Sequence, residues 1–218
     1  MVMERNLLQT SATALSEEEW CRIAQLQAGS EEAFDRLVAE YTPPLYRLAY
    51  RLLNDPADAD DVVQEVFLKA FRSIGQFQGN CPLKAWLYRI TVNTVANQNR
   101  SWRRHREPER PLDAPETEGS PLDFLADDHV QNPFQSLLSR ETQELVQSAL
   151  LRLSESSRAI LVLREMEGLS YEEVADILQI SLGTVKSRLA RARQSLKGEL
   201  ETMLEPAPGG VPEWSPAD

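Results

Sequence analysis

Between Glu107 and Pro133 the chain reads EPERPLDAPETEGSPLDFLADDHVQNP, and no other feature constrains its folding more. These residues hold five prolines and eight carboxylates against one arginine, with no apolar period. Such a stretch buries too little surface to offset the entropy of ordering it, so it reads as a flexible acidic linker. The length of 218 residues allows two small domains on either side. The expected organisation is an N-terminal extension (1–15), a first domain (16–106), the linker (107–133), a second domain (134–204) and a Pro/Gly-rich tail (205–218) without fixed structure.

Both domains are written in one period. Ser16 precedes three glutamates and the helical spacing of Trp20, Ile23 and Ala24, and Gly29 can end that element. Ser30 opens a second helix with Phe34, Leu37, Val38 and Tyr41, which Pro43 and Pro44 should interrupt or kink. NDPADADDVVQEVFLKAFRSI gives a third helix, whose apolar stripe is Val62, Val63, Val66, Phe67 and Phe71. LKAWLYRITVNTVANQNRSWRRHR gives a fourth. Strand-like alternation is absent, which predicts an all-α fold of two small helical domains.

In the second domain, GLSYEEVADILQISLGTVKSRLARARQSLK reads as a helix-turn-helix. Ser170 and Glu173 fit a capping box. QISLG is the turn, and Thr184 can cap the second helix. Val185, Leu189, Ala192 and Leu196 recur at helical spacing and would bury one face. The opposite face then presents Lys186, Ser187, Arg188, Arg191, Arg193 and Lys197 to a major groove and its phosphates.

A second basic element runs from Leu83 to Arg106 without an acidic residue. Lys84, Arg89, Arg100, Arg103, Arg104 and Arg106 supply charge, Trp86, Tyr88 and Trp102 aromatic surface, and Asn93, Asn97 and Asn99 amides. Single-stranded bases need those three things: a stacking face, an edge-reading group and a phosphate partner. Trp86 and Tyr88 fit a helical core equally well. Asn93 and Asn97 lie one turn apart on one face, where a polar partner suits them better than burial.

The formal net charge of −11 opposes unaided approach to DNA. A larger partner carrying the chain to DNA resolves the conflict. Cys21 and Cys81 form no metal spacing and read as reduced thiols, while His105 and His129 sit in polar stretches. No nucleophile–base set, phosphate-cradling loop or metal cluster is present, so no enzyme, cofactor or metal is expected. No apolar run is long enough to span a bilayer and the N-terminal residues do not read as a signal peptide, so the expected location is the cytoplasm, without direct membrane insertion.

DADDVVQEVFLKAFRSIGQFQG, WLYRITVNTVANQNR and GLSYEEVADILQISLGTVKSRLARAR together resemble the extracytoplasmic-function (ECF) sigma factors, two-domain subunits of bacterial RNA polymerase. The resemblance covers about residues 17–200. It implies that Asp61, Gln64 and Glu65 dock on the clamp of core polymerase. It places Phe77, Asn80, Lys84, Asn93 and Asn97 where the −10 element is melted and one base captured, with Arg89, Arg100, Arg103 and Arg104 alongside. It places Lys186, Ser187, Ala190 and Arg191 at the −35 duplex, where Thr184 and Arg188 of the same helix join them. Asn80 and Leu83 stand where relatives often have an acid and an aromatic, Cys81-Pro82 reshapes the same loop, and Ala190 is smaller than usual, so a private promoter preference is expected. The resemblance also implies an anti-sigma factor as a partner, often one at the membrane. The sequence leaves a rival open: a free-standing helix-turn-helix regulator that reads two half-sites as a dimer.

Overall fold

Six of the described helices begin where a short polar side chain takes an orphan backbone amide. Ser16 accepts from Glu19 N, Ser30 from Ala33 N, Asp55 from Asp58 N, Ser154 from Ser157 N, Ser170 from Glu173 N and Ser181 from Thr184 N. The computed structural model describes residues 15–105 and 133–205, with side chains from 15 to 100 and from 140 to 205. All but the edge residues 15, 133 and 205 of the N-terminal extension, the linker and the tail lie outside the described residues.

The first unit comprises α1 (Glu17–Gln27), α2 (Glu31–Leu53), α3 (Pro56–Ser73), a 3-10 turn (Ile74–Gln76) and α4 (Leu83–His105). The second comprises α5 (Pro133–Arg152), α6 (Glu155–Leu161) running into a π-helical turn (Val162–Met166), α7 (Tyr171–Leu178) and α8 (Leu182–Leu204). The described residues contain no strand.

Pro43 and Pro44 do not interrupt α2, one of the two outcomes expected of them. Leu37 on one side of them and Leu45 and Leu48 on the other enter the same core. That burial outweighs two absent N–H donors, and the Thr42 hydroxyl donates to the Val38 carbonyl at 2.7 Å just before the pair. Asn54, in the left-handed region at φ 58°, then ends the helix. In α3, Val62, Val63 and Val66 are buried as expected, but Phe71 is 62% exposed. The outward row of α3 is therefore apolar at its C-terminal end, where Phe71 meets Phe34 at 4.9 Å between ring centres.

The two units share one apolar core. Leu150, Ile160, Leu163 and Val174 belong to the same buried cluster as Leu48, Val66 and Leu87. Polar bonds reinforce the boundary. Gln147 donates to the Arg51 carbonyl at 3.1 Å and Arg158 to the Leu52 carbonyl at 2.5 Å, so the second unit satisfies the C-terminal end of α2.

Candidate nucleic-acid interface

The helix-turn-helix forms as its residues dictate, with one shift. The Ser170–Glu173 capping box is complete, with Glu173 accepting from Ser170 N at 2.7 Å. Gln179 takes the left-handed conformation at φ 53° and closes α7. The cap of α8 is Ser181, not Thr184: the Ser181 hydroxyl already accepts the Thr184 amide, so α8 starts at Leu182 and Leu182 and Gly183 are helical. Thr184, half-buried, sits inside the first turn. Val185, Leu189 and Ala192 are buried, so Lys186, Ser187, Arg188, Ala190 and Arg191 are turned outward. Arg193, on the flank, is held by Glu165 at 2.5 Å.

In the first unit the expected −10 residues divide. Asn93 and Asn97 are exposed on α4 and Lys84 is exposed at its start. Arg100 is exposed and donates to Asn97 Oδ1 at 2.8 Å, which orients that amide. Arg103 and Arg104 lie on α4, with side chains outside the described residues. Phe77 faces inward. It is 8% exposed and packs tilted against Trp86, 4.9 Å between ring centres, with Trp86 itself 7% exposed. Tyr88 is 1% exposed. The core reading thus holds for Trp86 and Tyr88, and the Phe77 ring supports the loop from beneath.

Above Phe77 lies a cleft of about 530 Å³ lined by Gln78, Asn80, Cys81, Arg89, Asp176 and Gln179, among others. Asp176 and Gln179 come from α7, so the second unit forms one wall. Burial pushes the Cys81 thiol above its usual pKa, with Arg89 acting in the opposite direction. Asn80 donates to Gln78 at 3.3 Å across the loop.

Asp61, Gln64 and Glu65 share one exposed face of α3, and Leu68, one further turn along, is 56% exposed. Lys69 pairs with Glu65 at 2.8 Å.

Sequence reasoning missed the groups that brace the loop after the 3-10 turn. Gln27 donates to the Phe77 and Ile74 carbonyls at 2.8 and 3.1 Å, Glu19 accepts from Leu83 N at 2.9 Å, and Trp20 lies on Gly79. It also missed the ion pair of Arg51 with Glu167 between the two units. Neither has a local signal, because the partners are far apart in sequence. No helix among the described residues is long and apolar enough to cross a membrane, and they hold no cluster of metal-ligating side chains.

Residues 37–106 match the family model for Sigma-70 region 2, and residues 143–196 match Sigma-70, region 4. The chain is 36% identical over 189 residues to the RNA polymerase sigma-H factor of Pseudomonas aeruginosa, covering 85% of this chain and 95% of that one. It is 36% identical over 182 residues to the ECF RNA polymerase sigma-E factor of Escherichia coli K12, covering 84% and 94%. Among solved structures it resembles CnrH in complex with the cytosolic domain of CnrY, with TM-score 0.60, 27% identity and coverage of 85% and 99%. It also resembles the sigma factor RpoE in complex with the anti-sigma factor NepR from Bartonella quintana, with TM-score 0.55, 29% identity and coverage of 77% and 96%.

Proposed function

This chain belongs to the ECF sigma factors of RNA polymerase, and from that premise we propose how its surfaces divide the work of initiation. As an alternative sigma factor it directs promoter-specific transcription by core polymerase and catalyses no reaction of its own. The face of Asp61, Gln64 and Glu65 docks on the polymerase. The exposed Leu68 and Phe71 beside it support that reading, because a solvated acidic face has no need of apolar neighbours.

Asn93 and Asn97 read or hold the opened −10 strand, with Asn80, Lys84, Arg89, Arg100, Arg103 and Arg104 around them. Removing a base from its stack costs a few kcal/mol, which a preformed pocket offsets. Phe77 takes part as the floor of the cleft lined by Asn80 and Arg89. Lys186, Ser187, Arg188, Ala190 and Arg191, beside Thr184, read the −35 duplex from the N-terminal half of α8, the part of a recognition helix that reaches base edges. The observation that carries the assignment is the burial of Val185, Leu189 and Ala192, which leaves those side chains outward together.

An anti-sigma factor is the third partner of this reading, as one is for the Bartonella RpoE. The chain then works in the cytoplasm and is held at the membrane when that partner is membrane-bound. The test is association and run-off transcription with purified core polymerase. Stable binding and new transcripts whose start sites define −10 and −35 elements are expected. Tight DNA binding by the chain alone, with no polymerase association, would favour the free-standing regulator.

A further inference from the structure

The loop from Phe77 to Pro82 joins the 3-10 turn to α4 and carries Gln78 and Asn80 at the cleft. Its described side chains make one bond across it, from Asn80 to Gln78. Its shape is held from outside, and α1 holds it at three points. At the entry, Gln27 Nε2 donates to the Ile74 and Phe77 carbonyls. At the apex, the Trp20 indole occupies the space beside Gly79: a Cβ there would overlap Trp20 Cη2. At the exit, the Glu19 carboxylate accepts from the amide of Leu83, the first residue of α4, where a negative charge suits the helix dipole.

Positions 19, 20 and 27 are two turns apart on one side of α1. The helix is anchored independently by Ile23 and Leu26, 0% and 1% exposed. Trp20 and Gln27 are exposed residues, so the folding of α1 does not require them. An exposed indole against a glycine, and an exposed amide shared by two loop carbonyls, are arrangements that shape the loop.

We infer that α1 is the positioning element for −10 recognition: Gln27 and Trp20 set the conformation in which Gln78 and Asn80 meet the displaced strand, and so set base preference there without touching DNA. This rests on the proposed −10 role of the loop. It explains how a loop with one internal side-chain bond can discriminate between bases: the ordering entropy is already spent in α1, before DNA arrives.

The test is run-off transcription by the full chain with core polymerase on a promoter panel carrying each base at each −10 position. A well-placed base contact discriminates by about ten- to a hundredfold. Gln27→Leu and Trp20→Ala are each expected to cut that discrimination by about tenfold while leaving polymerase association and −35 dependence at wild-type levels. Gln27→Lys, which returns an N–H donor of similar reach, is expected to restore the wild-type ranking of bases. Variants with wild-type circular dichroism, polymerase binding and unchanged base ranking would overturn the proposal and leave α1 an ordinary packing helix. Asn80→Ala separates the two levels of the argument. If it too leaves the ranking unchanged, the loop does not read the −10 element and the proposal falls with that reading. If it changes the ranking while the α1 variants do not, only the positioning role falls.

Discussion

Tyr88 on α4 donates its hydroxyl hydrogen to Glu167 Oε2 at 2.9 Å, and the bond crosses from the first helical unit to the second. The other carboxylate oxygen takes Arg51. The Glu167 side chain is 6% exposed and that of Arg51 15%. Burial, and then the charge of Glu167, push the tyrosine pKa well up, so the hydroxyl remains a donor at any physiological pH.

With −10 reading assigned to α4 and −35 reading to α8, as proposed above, this closure conflicts with promoter reading. Elements at −35 and −10 are separated by about 25 base pairs, or roughly 85 Å of duplex, yet α7 packs against α4 and shares its cleft. The segment between α4 and α5 can reach about 90 Å at full extension. On that assignment the two units are expected to part when both elements are read at once. Glu167→Arg sets two cations against each other where a buried pair stood, a loss of about 3 kcal/mol. We expect a larger radius of gyration by small-angle scattering, and a return to the wild-type value when Arg51→Glu is added. An unchanged radius in the single variant would show that the ion pair does not hold the units together.

Arg191→Ala is expected to weaken −35-dependent initiation by about 1–3 kcal/mol if the guanidinium meets a base edge, and to leave folding unchanged, because the side chain is exposed. Initiation should be measured on matched promoters with and without the −35 element. A loss on both alike would place Arg191 on phosphate or on another surface.

Asn93→Ala should leave polymerase association at the wild-type level and impair opening of the −10 region, read by permanganate reactivity of unpaired thymines. The exposed position of Asn93 removes the alternative that it supports the core. Normal opening with Asn93→Ala would move the −10 assignment elsewhere on α4.

The helices were legible because their causes are local. Ser16, Ser30 and Ser170 cap where expected, and the apolar period of α8 sets which of its faces turns outward. Thr184 misled because Ser181 and Thr184 are both good caps, and the left-handed Gln179 decides for the earlier one. Phe71 misled because an apolar residue at helical spacing signals burial only when enough covers it, and the Phe34 ring leaves Phe71 62% exposed. The brace at Gln27 and the Arg51–Glu167 pair join residues separated by 50 and 116 positions, so no spacing rule could find them.

Gly79 takes φ +67°, and the Trp20 ring fills the space a side chain would need. Gly79→Ala therefore combines backbone strain with a clash, about 1–3 kcal/mol in all, read as a drop of several degrees in Tm. Removing the Trp20 ring relieves the clash; it does not relieve the strain. Adding Trp20→Ala to Gly79→Ala should cost less than the sum of the two single changes. Strict additivity would show that the two residues do not meet in solution.

Cys81 and Cys21 offer a direct check on the buried floor of the loop. Cys21 is exposed and Cys81 is buried. Burial disfavours the charged thiolate, so the pKa of Cys81 rises and its thiolate fraction at any pH below that value falls. The neutral thiol is the form the fold stabilises. Stability from this group is therefore present below the ordinary thiol pKa and is lost as pH climbs through the raised value. At pH 8 iodoacetamide should modify Cys21 at least about tenfold faster than Cys81, the product of lower thiolate fraction and poorer access. Urea should abolish the difference by unfolding the loop and its floor together. Equal rates in the native protein would mean that the loop opens readily, which would also remove the rigid support that Phe77 and Trp86 give it.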